Sequence, residues 1–272
     1  MATFLCNACG TAYPESDNTP QVCKICDDER QYVPAAGQSW TEQNILSRTH
    51  RNAWRLVEPG LLCLQTVPAF AINQRAFLLR TPHGNILWDC VALLDDSTRE
   101  IIHALGGLNA IAVSHPHYYT TMQDWAKEFD CPVYLHESDK EWIVRQDSSL
   151  HFWQGDAMDL MPGCKLLCLG GHFPGGTVLL WSDDEKKEGV MLAGDIVQIT
   201  PGAHHVSFMW SYPNMLPLPI KQVKDIRDRI APFKFEKIYG AFDGQNILKG
   251  GKEIVDSSAE RYMRIILTES IY

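Results

Sequence analysis

Ser114-His115-Pro116-His117-Tyr118-Tyr119-Thr120 follows directly on the apolar run Ala110-Ile111-Ala112-Val113. The run reads as a buried strand, and the two histidines as its end and the start of a loop. On a strand end, residues i and i+2 point to the same side. Neutral imidazole is the commonest side-chain metal ligand, so two on one face make half of a metal site. An isolated His-x-His is equally compatible with a solvated turn. Ligand-like positions further along the chain favour the metal.

The first of these is Gly170-Gly171-His172-Phe173-Pro174-Gly175-Gly176, where glycines flank one histidine. Glycines let the backbone bend sharply and approach a bound group closely. The second is Leu192-Ala193-Gly194-Asp195, an apolar strand ending in glycine and an acid. Each is weak alone, because such loops are often plain turns and a strand-ending aspartate is often a helix cap. Together they give His-x-His, then His, then Asp, each at or just after a strand end.

That order resembles the metallo-β-lactamase superfamily, whose members carry H-x-H-x-D-H, a histidine in a Gly-rich loop, an aspartate after a strand and a last histidine. The matching positions are His115, His117, His172 and Asp195, and the resemblance covers about residues 40–272. It implies an α/β fold, an αββα sandwich of two mixed β-sheets flanked by helices. Where the motif has Asp and His, this chain has Tyr119 and Thr120. Where the last histidine is expected, it has Gly240-Ala241-Phe242-Asp243-Gly244.

In the family, the first two histidines and the loop histidine hold one metal. The motif's Asp and His, with the last histidine, hold a second, and the later Asp bridges both. Here the first set is complete and the second lacks three ligands. A single active-site ion is therefore expected, zinc or iron. Three histidines with an open position suit a catalytic zinc, which lowers the pKa of bound water to about 7 and polarises a carbonyl. Tyr119 could donate to an oxyanion but is a poor base, with an ordinary pKa of about 10. Asp195 is the better candidate to hold or deprotonate the water.

At the N-terminus, Cys6-Asn7-Ala8-Cys9-Gly10 is followed by Cys23-Lys24-Ile25-Cys26. Two C-x-x-C pairs read as a four-thiolate structural zinc site. Residues 1–36 are too few and too polar to bury a core, so a metal would organise them. This segment resembles a zinc ribbon or rubredoxin-type knuckle; zinc is preferred over iron because nothing else suggests electron transfer. Residues 37–272 are expected to form the metallo-β-lactamase-like domain.

The chain has 272 residues, is 45% hydrophobic and carries a formal net charge of −9. That is enough for one sizeable core with a small appendage. Nucleic-acid binding needs a basic footprint, and the acidic balance argues against it. The nine cysteines are odd in number and mostly in apolar contexts, which favours reduced thiols and a cytoplasmic location. Met1 to Gly10 lacks the pattern of a signal peptide. No apolar run approaches the ~20 residues of a membrane span. The expected partner is a small-molecule substrate; a homo-oligomer stays open.

Asp95 to Leu105 reads as a helix capped near Asp96 or Ser97 and stopped by Gly106-Gly107. Met122, Trp125, Ala126 and Phe129 recur at helical spacing directly behind the His-x-His loop. Thr81-Pro82-His83-Gly84 suits a hairpin turn. Asp89 resembles the family's early aspartate, which braces the site loop by hydrogen bonds. His136 reads as a supporting or capping group. His204, His205 and Asp243 are candidates to line the substrate site, with Asp243 near the missing last ligand.

The reading favoured by these residues is a hydrolase of a small ester, thioester or lactone, acting through metal-bound hydroxide. Two alternatives stay open. One is an iron enzyme like the persulfide dioxygenases, with His115, His172 and Asp195 as the triad. The other is a non-catalytic metal-binding scaffold or interaction protein.

Overall fold

The computed structural model describes residues 1–182 and 188–268. The chain divides into two compact units, Met1–Trp153 and Gln154–Tyr272. The cysteine-rich segment belongs to the first.

The first unit holds a seven-stranded sheet, in spatial order Arg51–Glu58, Leu61–Val67, Arg75–Thr81, Gly84–Trp88, Ala110–Ala112, Val133–His136 and Leu150–Trp153. The first four strands pair antiparallel and the last three add in parallel. Antiparallel neighbours accept tight turns, whereas parallel ones need crossovers. The expected hairpin closes with Thr81 opposite Gly84. Gly84 has φ +134°, and a Cβ there would lie 2.5 Å from the Asn109 side chain, so glycine is required.

Two crossovers are helices. Asp96–Ala104 is capped by Asp95, whose side chain accepts from Thr98 N. The cap thus lies one residue before the expected position, because the Asp95 carboxylate also accepts from Asn52 N at 2.8 Å on the edge strand. Met122–Phe129 buries Met122, Trp125, Ala126 and Phe129, as their spacing implies. Trp125 is fully buried, and its Nε1–H donates to Val91 O at 3.1 Å. Truncating such an aromatic typically costs about 3–5 kcal/mol, so this helix is firmly fixed behind the His-x-His loop.

The second unit holds a six-stranded sheet, in order Ala157–Met161, Cys164–Cys168, Thr177–Trp181, Val190–Gly194, Lys237–Gly240 and Asn246–Ile247. Among the described strands of this sheet only Val190–Gly194 and Lys237–Gly240 pair in parallel; the helix Ile220–Ile230 lies in the connection between them. Val223, Ile226 and Ile230 of that helix, with Val255 and Ala259 of the helix Gly251–Leu267, share one core with Val178, Leu180 and Met191 of the sheet. Two short hairpins, Gln198–Ile199 with Val206–Ser207 and Met209–Ser211 with Leu216–Pro217, follow Asp195. Each unit is therefore a mixed sheet with helices. Among the described residues no helix is long and apolar enough to cross a membrane.

Candidate metal centres

Cys6 ends the strand Leu5–Cys6, which pairs with Trp40–Thr41 and so ties the first knuckle to the start of the following chain. Sγ of Cys6 lies 3.5 Å from Sγ of Cys26, and Sγ of Cys9 lies 3.6 Å from Sγ of Cys23. Four sulfurs about 2.3 Å from one central ion form a tetrahedron with edges of about 3.8 Å. The observed spacings fit that figure. Contacts from the other sulfurs pull the Cys6 thiol down, while burial pushes Cys9 up. A cation would draw all four down together as thiolates. Tyr13, Trp40, Val33 and Trp142 enclose the cluster.

The strand Ala110–Ala112 stops short of the two histidines. His115 is extended, and Pro116–Tyr118 then forms a single 3-10 turn with Pro116 at its start. The i, i+2 argument for a strand end therefore does not bring these rings together; the turn does. Proline presets φ for that turn and removes an N–H that would have no partner there. The rings of His115 and His117 stand 4.9 Å apart at 70°. Asp89, in the left-handed region at φ +59°, accepts from Ser114 N at 2.7 Å, the brace expected of it. Ser114 Oγ lies 3.0 Å from His115 Nδ1 and steadies that ring.

His172 sits in a tight loop whose glycines are needed. Gly170 and Gly171 have φ +68° and +82°, and a Cβ on Gly176 would lie 2.5 Å from the Gly170 carbonyl. His172 Nδ1 lies 2.7 Å from the carbonyl oxygen of Trp210. A carbonyl only accepts, so Nδ1 carries the hydrogen and Nε2 keeps its lone pair for a metal. Asp195 follows the end of the strand Val190–Gly194 and is 3% exposed. Tyr212 donates its hydroxyl to the Asp195 carbonyl, and its ring meets His172 edge-on at 5.3 Å. Both residues belong to the aromatic stretch Trp210-Ser211-Tyr212. Nothing in its spacing signalled that it orients a ligand.

His115 and His117 in the first unit, and His172 and Asp195 in the second, are all buried. The residue types fit a metal: three imidazoles and one carboxylate suit zinc or ferrous iron.

No family model matches the sequence. Over 271 residues, covering 99% of this chain and 98% of the relative, it is 41% identical to the uncharacterized protein YmaE of Bacillus subtilis (strain 168). The chain belongs to the YmaE family. Its fold is that of the metallo-β-lactamases. The VMB-1 crystal structure superposes with a TM-score of 0.59 at 10% identity, covering 79% of this chain and 98% of that one. DIM-1 metallo-beta-lactamase gives 0.56 at 12%, covering 78% and 98%. A metallo-beta-lactamase from Cronobacter sakazakii gives 0.52 at 17%, covering 82% and 97%.

In this member of the YmaE family, the two residues at the departed motif positions are both buried. Tyr119 is 4% exposed, and burial, with the Asp139 carboxylate adding to it, pushes its phenol well above the ordinary value. Thr120 is 2% exposed and has φ +35°, a left-handed conformation costing a β-branched residue about 1–2 kcal/mol. His204, His205 and Asp243 are exposed. The Asp243 carboxylate accepts from Gly244 N at 3.0 Å. His136 accepts from Ser138 N and so caps the turn Glu137–Trp142.

Proposed function

We propose that this chain is a hydrolase with one active-site ion, preferably zinc, held by His115, His117, His172 and Asp195, and acting on a small ester, thioester or lactone. The observation that carries this reading is a buried imidazole pair, His115 and His117, in the first unit, and a buried imidazole and carboxylate, His172 and Asp195, in the second. When bound, such an ion lowers the pKa of a water and polarises a carbonyl. The protein's own part is orientation and proton handling. The Trp210 carbonyl fixes the tautomer of His172, and Asp89 fixes the loop that presents His115 and His117. Asp195 is the acceptor for the proton released by the attacking water. Tyr119 stays a neutral phenol, and its role is that of a hydrogen-bond donor to a developing oxyanion. His204, His205 and Asp243 are the proposed outer contacts to substrate.

Cys6, Cys9, Cys23 and Cys26 are proposed to hold a structural zinc that organises residues 1–36, with 37–272 as the catalytic domain. A cytoplasmic location is proposed on the odd number of cysteines, nine, and their mostly apolar contexts.

The test is an ester, thioester and lactone panel run on the metal-loaded protein and on His115→Ala. Turnover lost in the variant, with its fold and thiolate metal retained, supports the hydrolase. Equal turnover in both proteins removes the site from the chemistry, and no turnover in either favours a binding scaffold. Oxygen uptake with bound iron favours the dioxygenase alternative, which the His115, His172 and Asp195 set would also serve.

A further inference from the structure

The cysteine knuckle lies directly on the loop that carries His115 and His117. Gly10, next to Cys9, has φ +79° and donates to Cys6 O at 2.7 Å. A Cβ on Gly10 would lie 2.9 Å from Ala92 Cβ and 3.4 Å from Thr120 Cγ2. Two residues on, Ala12 N donates to the Thr120 carbonyl at 2.9 Å. Leu5 and Ala12 also pack with Ala92 and Leu93. Thr121 Oγ1 donates to the Ala92 carbonyl at 3.0 Å, closing a ring of contacts around this loop.

Thr120 is the third residue after His117. Its φ of +35° is one that a threonine keeps only where its surroundings over-determine it. Here those surroundings include the knuckle. The opposite flank of the knuckle is anchored too. Lys24 N donates to Tyr13 Oη at 2.7 Å, and the Lys24 ammonium sits 5.3 Å from the Trp142 ring centre. A four-thiolate ion would add to the order of a segment of this size.

We propose that the knuckle is a splint for the His115–Thr120 loop, with Gly10 and Thr120 as positioning residues, so that filling the four-thiolate site raises the affinity of the histidine–aspartate site for its own ion. Coupling of this kind is reciprocal. The inference rests on the proposal that His115, His117, His172 and Asp195 form a metal site, and it does not depend on the reaction catalysed.

Cobalt(II) titration of the full-length apo protein tests it, because thiolate charge-transfer bands report one site and the d–d absorption gained after those bands saturate reports the other. Gly10→Ala keeps all four cysteines. Its thiolate band should form as in the natural protein, while cobalt affinity at the histidine–aspartate site falls about tenfold or more. Thiolate and d–d titrations both unchanged overturn the coupling. If natural protein takes up cobalt only at the thiolates, the metal-site reading fails, and this inference fails with it.

A second measurement needs no variant. Apo protein is given one equivalent of cobalt, which fills the thiolates first, and amide exchange of Tyr118 to Thr121 is followed. Slowed exchange supports the splint; unchanged exchange contradicts it even if Gly10→Ala fails to fold.

Discussion

The Tyr212 hydroxyl donates to the backbone carbonyl of Asp195 over 2.5 Å, while the Tyr212 ring stands edge-on to His172. One side chain thereby steadies two proposed ligands. Tyr212→Phe keeps the ring and removes the hydrogen bond. It should cost about 1 kcal/mol of stability and weaken metal binding about tenfold. Chelator competition on the natural protein and the variant checks this; unchanged affinity would remove Tyr212 from the support of the site.

Asp89 is 1% exposed and accepts from Ser114 N. Asp89→Ala leaves that buried N–H without its acceptor, at a cost of about 1–3 kcal/mol. Asp89→Asn keeps an oxygen and tolerates the left-handed backbone, so it should lose less. Urea denaturation of the two variants should therefore rank alanine below asparagine. Equal losses would show that Asp89 acts through its charge and not as an acceptor.

Asp95 joins two elements, accepting from Thr98 N at the helix start and from Asn52 N on the edge strand. Asp95→Ala removes a cap together with a cross-element bond. A loss of about 1–2 kcal/mol in chemical denaturation is expected, with little change in metal content.

These elements differ in how far the sequence disclosed them. Met122–Phe129 and the Thr81–Gly84 hairpin were legible because periodicity and turn residues are local signals. The order His-x-His, His, Asp was legible because each residue follows an apolar strand, which is a local signal. The turn at Pro116 was not, since a proline after a strand fits an extended exit as well as a 3-10 turn. The choice of Asp95 over Asp96 or Ser97 as cap depends on Asn52, a partner 43 positions away. The contacts of Ala12 with Thr120 and of Trp210 with His172 are equally remote in sequence, so spacing carries no trace of them.

Glu128 gives a pH signature. Burial alone would raise its carboxyl, but hydrogen bonds from His103 and Arg99 outweigh this and hold it below the usual range. A lowered folded value means that the stabilisation is complete above the ordinary pKa of about 4.3. It is then lost as pH falls through the lowered value. The Glu128 side chain is 29% exposed, so the effect is only about 0.5 kcal/mol. Glu128→Gln should flatten the acid limb of the stability–pH curve by that amount, and a parallel curve would show that the ion pair contributes nothing.

The central claim is one hydrolytic ion in the His115, His117, His172 and Asp195 site beside a separate four-thiolate ion. Elemental analysis of protein purified without added metal, run alongside His172→Ala and with a thioester assay on the same samples, tests it most directly. Two zinc ions per chain, falling to one in the variant together with loss of hydrolysis, is the predicted result. One iron with oxygen uptake, or a zinc count and hydrolysis that His172→Ala leaves unchanged, would contradict it.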